Sequence, residues 1–98
     1  MSAEAMHKSP IKRLIEKEIL EIINSNKKLF NVTGANKAGD KIIIPLKQEL
    51  TEDEVDNLSR DISVKITLEL DKLRKEGKIM DLPILAFNTN PKMISIEI

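Results

Sequence analysis

The stretch Gly34-Ala-Asn-Lys-Ala-Gly39 carries two glycines at the spacing of a phosphate-cradling loop. Such a loop needs a lysine and then a serine or threonine directly after the second glycine, at the mouth of a helix, so that backbone amides, ammonium and hydroxyl converge on phosphate and Mg²⁺. Asp40 stands where the lysine would be, and the β-branched run Lys41-Ile-Ile-Ile follows, so the stretch reads as a plain glycine-bearing loop. His7 is the single histidine and cysteine is absent. A histidine-based triad, a thiolate nucleophile and a histidine-rich metal site therefore all lack their residues. Glu49, Glu52, Asp53, Glu54 and Asp56 cluster without the glycine and ligand spacing of a calcium loop, and the first turn of a helix accounts for them. Two Asn-x-Ser/Thr sequons begin at Asn31 and Asn57, but no secretory core is recognisable to make them usable. No carboxylate pair stands out for acid–base work. The expectation is a non-catalytic chain with no cofactor, no metal and no small-molecule substrate.

The residues that remain of interest lie on or beside one organising stretch, residues 50–79. Thr51 and Glu54 have the spacing of a capping box, and Leu50 and Val55 that of a hydrophobic staple. Glu52, Asp53 and Glu54 suit the positive end of a helix dipole, and Lys72, Arg74 and Lys75 the negative end. Gly77 supplies a left-handed stop.

Three readings of the interior compete. In the first, one helix runs throughout, with Val55, Leu58, Ile62, Ile66, Leu70 and Leu73 on a single apolar face. Asp61 with Lys65 and Asp71 with Lys75 then form acid-before-base pairs one turn apart. In the second, the helix breaks at residues 59–63. In the third, Ile62-Ser-Val-Lys-Ile-Thr-Leu-Glu-Leu70 alternates apolar and polar as a half-buried strand does.

Ninety-eight residues suffice for one domain with a modest core. Residues 1–8 read as a disordered lead and 9–98 as a single α+β domain. Ser9-Pro10 reads as a helix start, and residues 10–24 are amphipathic, with Ile11, Leu14, Ile15, Ile19, Ile22 and Ile23 on one face and Lys12, Arg13, Glu16, Lys17 and Glu21 on the other. A strand is expected at 29–33, a loop at 34–40, and a second strand at 41–46 covered on both faces, with Pro45 at an edge or at the strand's end. A C-terminal hairpin pairs 79–87 with 92–98 around the turn residues 88–91.

Sixteen Lys/Arg balance sixteen Asp/Glu, and aromatics number two. A dedicated nucleic-acid binder is more often basic and richer in stacking groups. No apolar run reaches membrane-spanning length, and the absence of cysteine suits a reducing, cytoplasmic setting.

The order helix, strand, helix, second helix, hairpin resembles the winged helix-turn-helix, on the strength of Leu50-Thr51, Ile62-Ser63 and Leu70-x-x-Leu73-x-x-x-Gly77-x-Ile79. The resemblance implies a DNA-binding or regulatory domain with duplex DNA as partner. By that likeness Ser63, Lys65 and Thr67 meet the major groove. Lys72, Arg74, Lys75 and Lys78 approach phosphates, and residues 87–93 form the wing.

The alternative is an interaction or assembly module, an α+β homo-oligomer without nucleic-acid affinity. On an unbroken helix Val64 and Leu68 point away from the main apolar face, at about 100° per residue, and make a candidate self-association seam.

Overall fold

The computed structural model describes residues 10–98. The expected lead at 1–8, with His7 and the cap at Ser9, lies outside them. Helix α1 (Pro10–Ser25) is followed by a single helical turn, α2 (Lys27–Phe30). A hairpin, β1 (Asn36–Ala38) and β2 (Lys41–Pro45), leads to the long helix α3 (Glu52–Lys75), and a second hairpin, β3 (Ala86–Asn90) and β4 (Met93–Glu97), ends the chain. The sheet is antiparallel throughout in the order β1-β2-β4-β3, so the two hairpins meet along β2 and β4. The architecture is α+β, as expected.

The core lies between one face of the sheet and the two long helices. Ile42 opposes Ile96 and Ile44 opposes Ile94, and all four are buried. Against them pack Ile15, Ile19 and Ile23 of α1 and Val55, Ile62, Ile66 and Leu70 of α3. An almost purely aliphatic core follows from a chain with two aromatics, of which only Phe30 is fully buried.

Several expectations change. Residues 29–33 do not form a strand: Lys27–Phe30 turn as a helix, Asn31 adopts the left-handed conformation at φ 56°, and only Val32 makes an isolated bridge to Leu46. The expected loop at 34–40 contains β1. Gly39 has φ 62° at the first position of its two-residue turn, which suits the handedness of a tight hairpin. Ile43 points to the open face of the sheet and is half-buried between Asn36 and Ser95, so β2 is covered on one face rather than two. Pro45 does mark the end of β2, which is an interior strand.

The C-terminal hairpin is shifted relative to its expected bounds. Asn88, Thr89 and Asn90 belong to β3, and residues 79–85 form an irregular strap before it. Asn90 closes the turn, its side-chain oxygen accepting from the amides of Lys92 and Met93 at 2.8 and 2.9 Å. Glu16, expected on the polar face of α1, is instead 3 % exposed and meets Lys37 of β1 at 3.1 Å. The β1–β2 hairpin covers that side of the helix, and a lysine on the helix-facing side of β1 makes the burial tolerable.

One close approach fixes the path out of α1. The Asn24 side chain accepts from the amide of Ala35 at 3.0 Å and donates to its carbonyl at 3.3 Å. Gly34, at φ 147°, lies so near that a Cβ there would stand 2.7 Å from Asn24 Oδ1.

Candidate interaction surface

Helix α3 is continuous from Glu52 to Lys75, 24 residues or about 36 Å at 1.5 Å per residue. It begins and ends as its sequence predicts. The amide of Thr51 donates to Glu54 Oε1 at 2.9 Å, and the amide of Glu54 donates to Thr51 Oγ1 at 3.2 Å. The Thr51 amide above all, with the Thr51 side chain second, holds the Glu54 carboxyl below the usual range. At the other end Gly77 has φ 79°, its amide reaches the Arg74 carbonyl at 3.0 Å, and the Lys78 amide reaches the Leu73 carbonyl at 2.9 Å. That pair of bonds is a Schellman motif. Neither the break at 59–63 nor the strand at 62–70 occurs. Both patterns lack what the helix has: satisfied ends, and an inward stripe at steps of three and four that finds the core.

Uninterrupted helix decides where the named residues go. Ser63 and Thr67 lie one turn apart on one flank, and Lys65 lies about 200° of rotation from each. The three groove-reading candidates therefore do not share a face. Lys65 sits instead beside Val64 and Leu68, which face outward and are 53 % and 58 % exposed. Leu29 of α2, 71 % exposed, stands across from them. Together with Phe30, Leu58, Asp61 and Lys65, these three line an open groove of about 280 Å³.

The apolar surface continues past Phe30 and Leu58 to Leu46 and Leu50, where a smaller depression opens. Leu29 was not legible as part of this surface. It joins because α2 is a helical turn packed on α3, whereas a strand at 29–33 would have sent it elsewhere.

Every basic residue assigned to phosphate has a carboxylate beside it. Lys72 meets Glu69 at 3.1 Å and Lys65 approaches the same oxygen at 3.6 Å. Arg74 forks onto Asp71 Oδ1 at 2.7 and 2.9 Å, and Lys75 reaches Asp71 Oδ2 at 3.3 Å. Lys78 lies 3.5 Å from Glu76. The Lys72 hydrogen bond holds Glu69, and the Arg74 hydrogen bond holds Asp71, below the usual carboxylate range. Exposed pairs of this kind are screened by solvent, so their effect is on surface potential more than on stability. The expected pair Asp61–Lys65 does not form. Asp61 is exposed and has no ion-pair partner among the described residues.

The hairpin tip expected as a wing lies at the far end. Thr89, Asn90 and Pro91 line a depression with Glu52, Val55 and Asp56, and the Leu50 amide donates to the Pro91 carbonyl at 3.0 Å. The tip thus abuts the acidic start of α3, while Lys72, Arg74, Lys75 and Lys78 stand at its other end. A further apolar exposure occurs on the strap, where Met80 and Ile84 are almost fully open to solvent. Among the described residues no three His, Cys, Asp or Glu are grouped to hold a metal ion, and no helix is long and apolar enough to cross a membrane. No protein-family model, curated protein or solved structure matches the chain.

Proposed function

We propose that this protein is a non-catalytic interaction module whose docking surface is the groove of Leu29, Phe30, Leu58, Val64 and Leu68. The observation that carries this reading is the outward pair Val64 and Leu68 on an unbroken helix, with Leu29 facing them across an open apolar groove. Three aliphatic side chains, each more than half exposed and adjacent, represent a cost that solubility alone would remove. A shallow groove flanking a helix suits an amphipathic helix as occupant.

The duplex-DNA alternative has less support. Its reading residues diverge around α3, its basic residues are neutralised by carboxylates, and its wing abuts an acidic helix start. A phosphate track needs unneutralised cations lying on one face.

Two measurements test the reading. An amphipathic leucine–lysine helical peptide, titrated into isotope-labelled protein, should shift the amides around Leu29, Val64 and Leu68. Shifts confined to other surfaces would overturn the assignment. Duplex DNA at low salt should not be retained. Retention that charge reversal at Lys72, Arg74 and Lys75 abolishes would move the function to nucleic acid.

A further inference from the structure

Resting on that groove as the docking surface, we infer that its occupant is a second copy of this chain, bound through α3 against α3 in antiparallel orientation about a two-fold axis passing between Val64 and Leu68. The outward stripe of α3 is written for such a pairing. In order it reads Asp61, Val64, Leu68, then Asp71 held by Lys75 and flanked by Lys72: a carboxylate, two apolar residues, then two cations about one carboxylate. Turned end over end on itself, the stripe sets Val64 against Leu68 of the partner subunit and Asp61 beside Lys72 of the partner subunit. By symmetry each contact occurs twice.

The whole helix carries the same polarity. Residues 52–63 hold five carboxylates and one arginine, a net of −4, while residues 64–75 hold four basic groups and two carboxylates, a net of +2. A parallel pairing would lay like on like; an antiparallel one lays the acidic half along the basic half.

The side-chain geometry leaves the necessary groups available. Asp61, on the groove rim, has no ion-pair partner within its own chain among the described residues. Glu69 is approached by both Lys72 and Lys65 through one oxygen. Lys72, whose side chain is 69 % exposed, can swing to Asp61 of the partner subunit while Lys65 keeps Glu69 paired. Leu29 then covers the margin of the apolar contact, since it faces Val64 and Leu68 across the groove.

The test uses the full chain and its lack of cysteine. Sedimentation of the parent should give a dimer, and Val64→Gln with Leu68→Gln should give a monomer that keeps its helical signal. Asp61→Lys alone or Lys72→Asp alone should weaken dimerisation roughly tenfold, because the two-fold repeats each change, and the two combined should restore it. Mixed Val64→Cys and Leu68→Cys chains should form a disulfide-linked heterodimer under mild oxidation, and Met80→Cys chains should not cross-link.

A parent that sediments as a monomer at millimolar concentration overturns the second-copy inference, and the peptide titration above still decides whether the groove docks another protein. A dimer that survives the double Gln substitution forms through another surface and overturns the second-copy inference, again leaving the groove to the peptide titration. A dimer that is lost with Val64 and Leu68 but insensitive to the charge swap overturns the antiparallel arrangement.

Discussion

The two faces of α3 carry nearly the same kinds of side chain and meet opposite fates. Inward, Val55, Ile62, Ile66 and Leu70 are each 2 % exposed or less and belong to the core cluster that also holds the buried residues of the sheet and α1. Outward, Val64 and Leu68 are more than half open to water, and their apolar neighbour is Leu29 from a single helical turn. Nothing in the identity of an isoleucine or a leucine distinguishes these roles. Position around the helix does, together with the number of elements available to cover each side. The described residues form one sheet and two long helices, which sandwich one face of α3 and leave Val64 and Leu68 on the other exposed.

Breaking the inward face should have the largest effect. Ile66→Ala removes a fully buried side chain between α3 and the sheet and should cost about 2–5 kcal/mol, read as a lowered denaturant midpoint at unchanged slope. A change under about 1 kcal/mol would mean that the core tolerates a cavity there and that the contrast between the faces is shallower than burial implies.

Thr51→Ala acts on both faces at once, because the capping box sets where the helix begins. The loss should be about 1 kcal/mol. Since the same box holds the Glu54 carboxyl below its usual range, its contribution is present above the ordinary carboxylate pKa and lost as pH falls through the lowered one. The variant that removes this carboxylate is Glu54→Gln, whose stability difference from the parent should accordingly shrink in acid; a difference that stays constant would detach the Glu54 carboxylate from the cap.

The outward face should give the smallest change in stability. At a concentration where the chain sediments as a monomer, Val64→Gln or Leu68→Gln should each move stability by no more than about 0.5 kcal/mol, because glutamine is a good helix former and little buried area is lost. A loss of several kcal/mol from either would make these positions core rather than surface. Comparing the same variants at high concentration separates folding from association.

Much of the helical architecture was legible in the chain. Both ends of α3 follow from local hydrogen-bonding chemistry: Thr51 and Glu54 satisfy the first amides, and Gly77 adopts a left-handed turn that satisfies the last carbonyls. The inward stripe follows from the 3.6-residue period, and α1 follows from the same signal. The α+β class and a C-terminal hairpin followed likewise. The strand reading of residues 62–70 fails for a physical reason: alternation is a pattern that an amphipathic helix with apolar residues on two sides also produces. Ile62, Val64, Ile66, Leu68 and Leu70 alternate here because α3 has two apolar faces, and the same fact that made the segment ambiguous leaves apolar side chains on its outward side.

What only the tertiary structure decided concerns residues whose role depends on distant partners. Glu16 is polar by type, yet β1 folds over it and brings Lys37 to 3.1 Å. Leu29 is placed by α2, a turn too short to announce itself by periodicity, and its meeting with Val64 and Leu68 requires packing between segments more than thirty residues apart. The hairpin tip reaches the acidic end of α3 because β2 and β4 pair in register, from Lys41 with Glu97 to Pro45 with Met93. Local sequence determines where a helix starts, stops and shows its apolar stripes, since those are matters of hydrogen bonds and rotation within a few residues. Which stripe is buried and which is left facing solvent depends on how many other elements arrive to cover it, and that is decided by the fold as a whole.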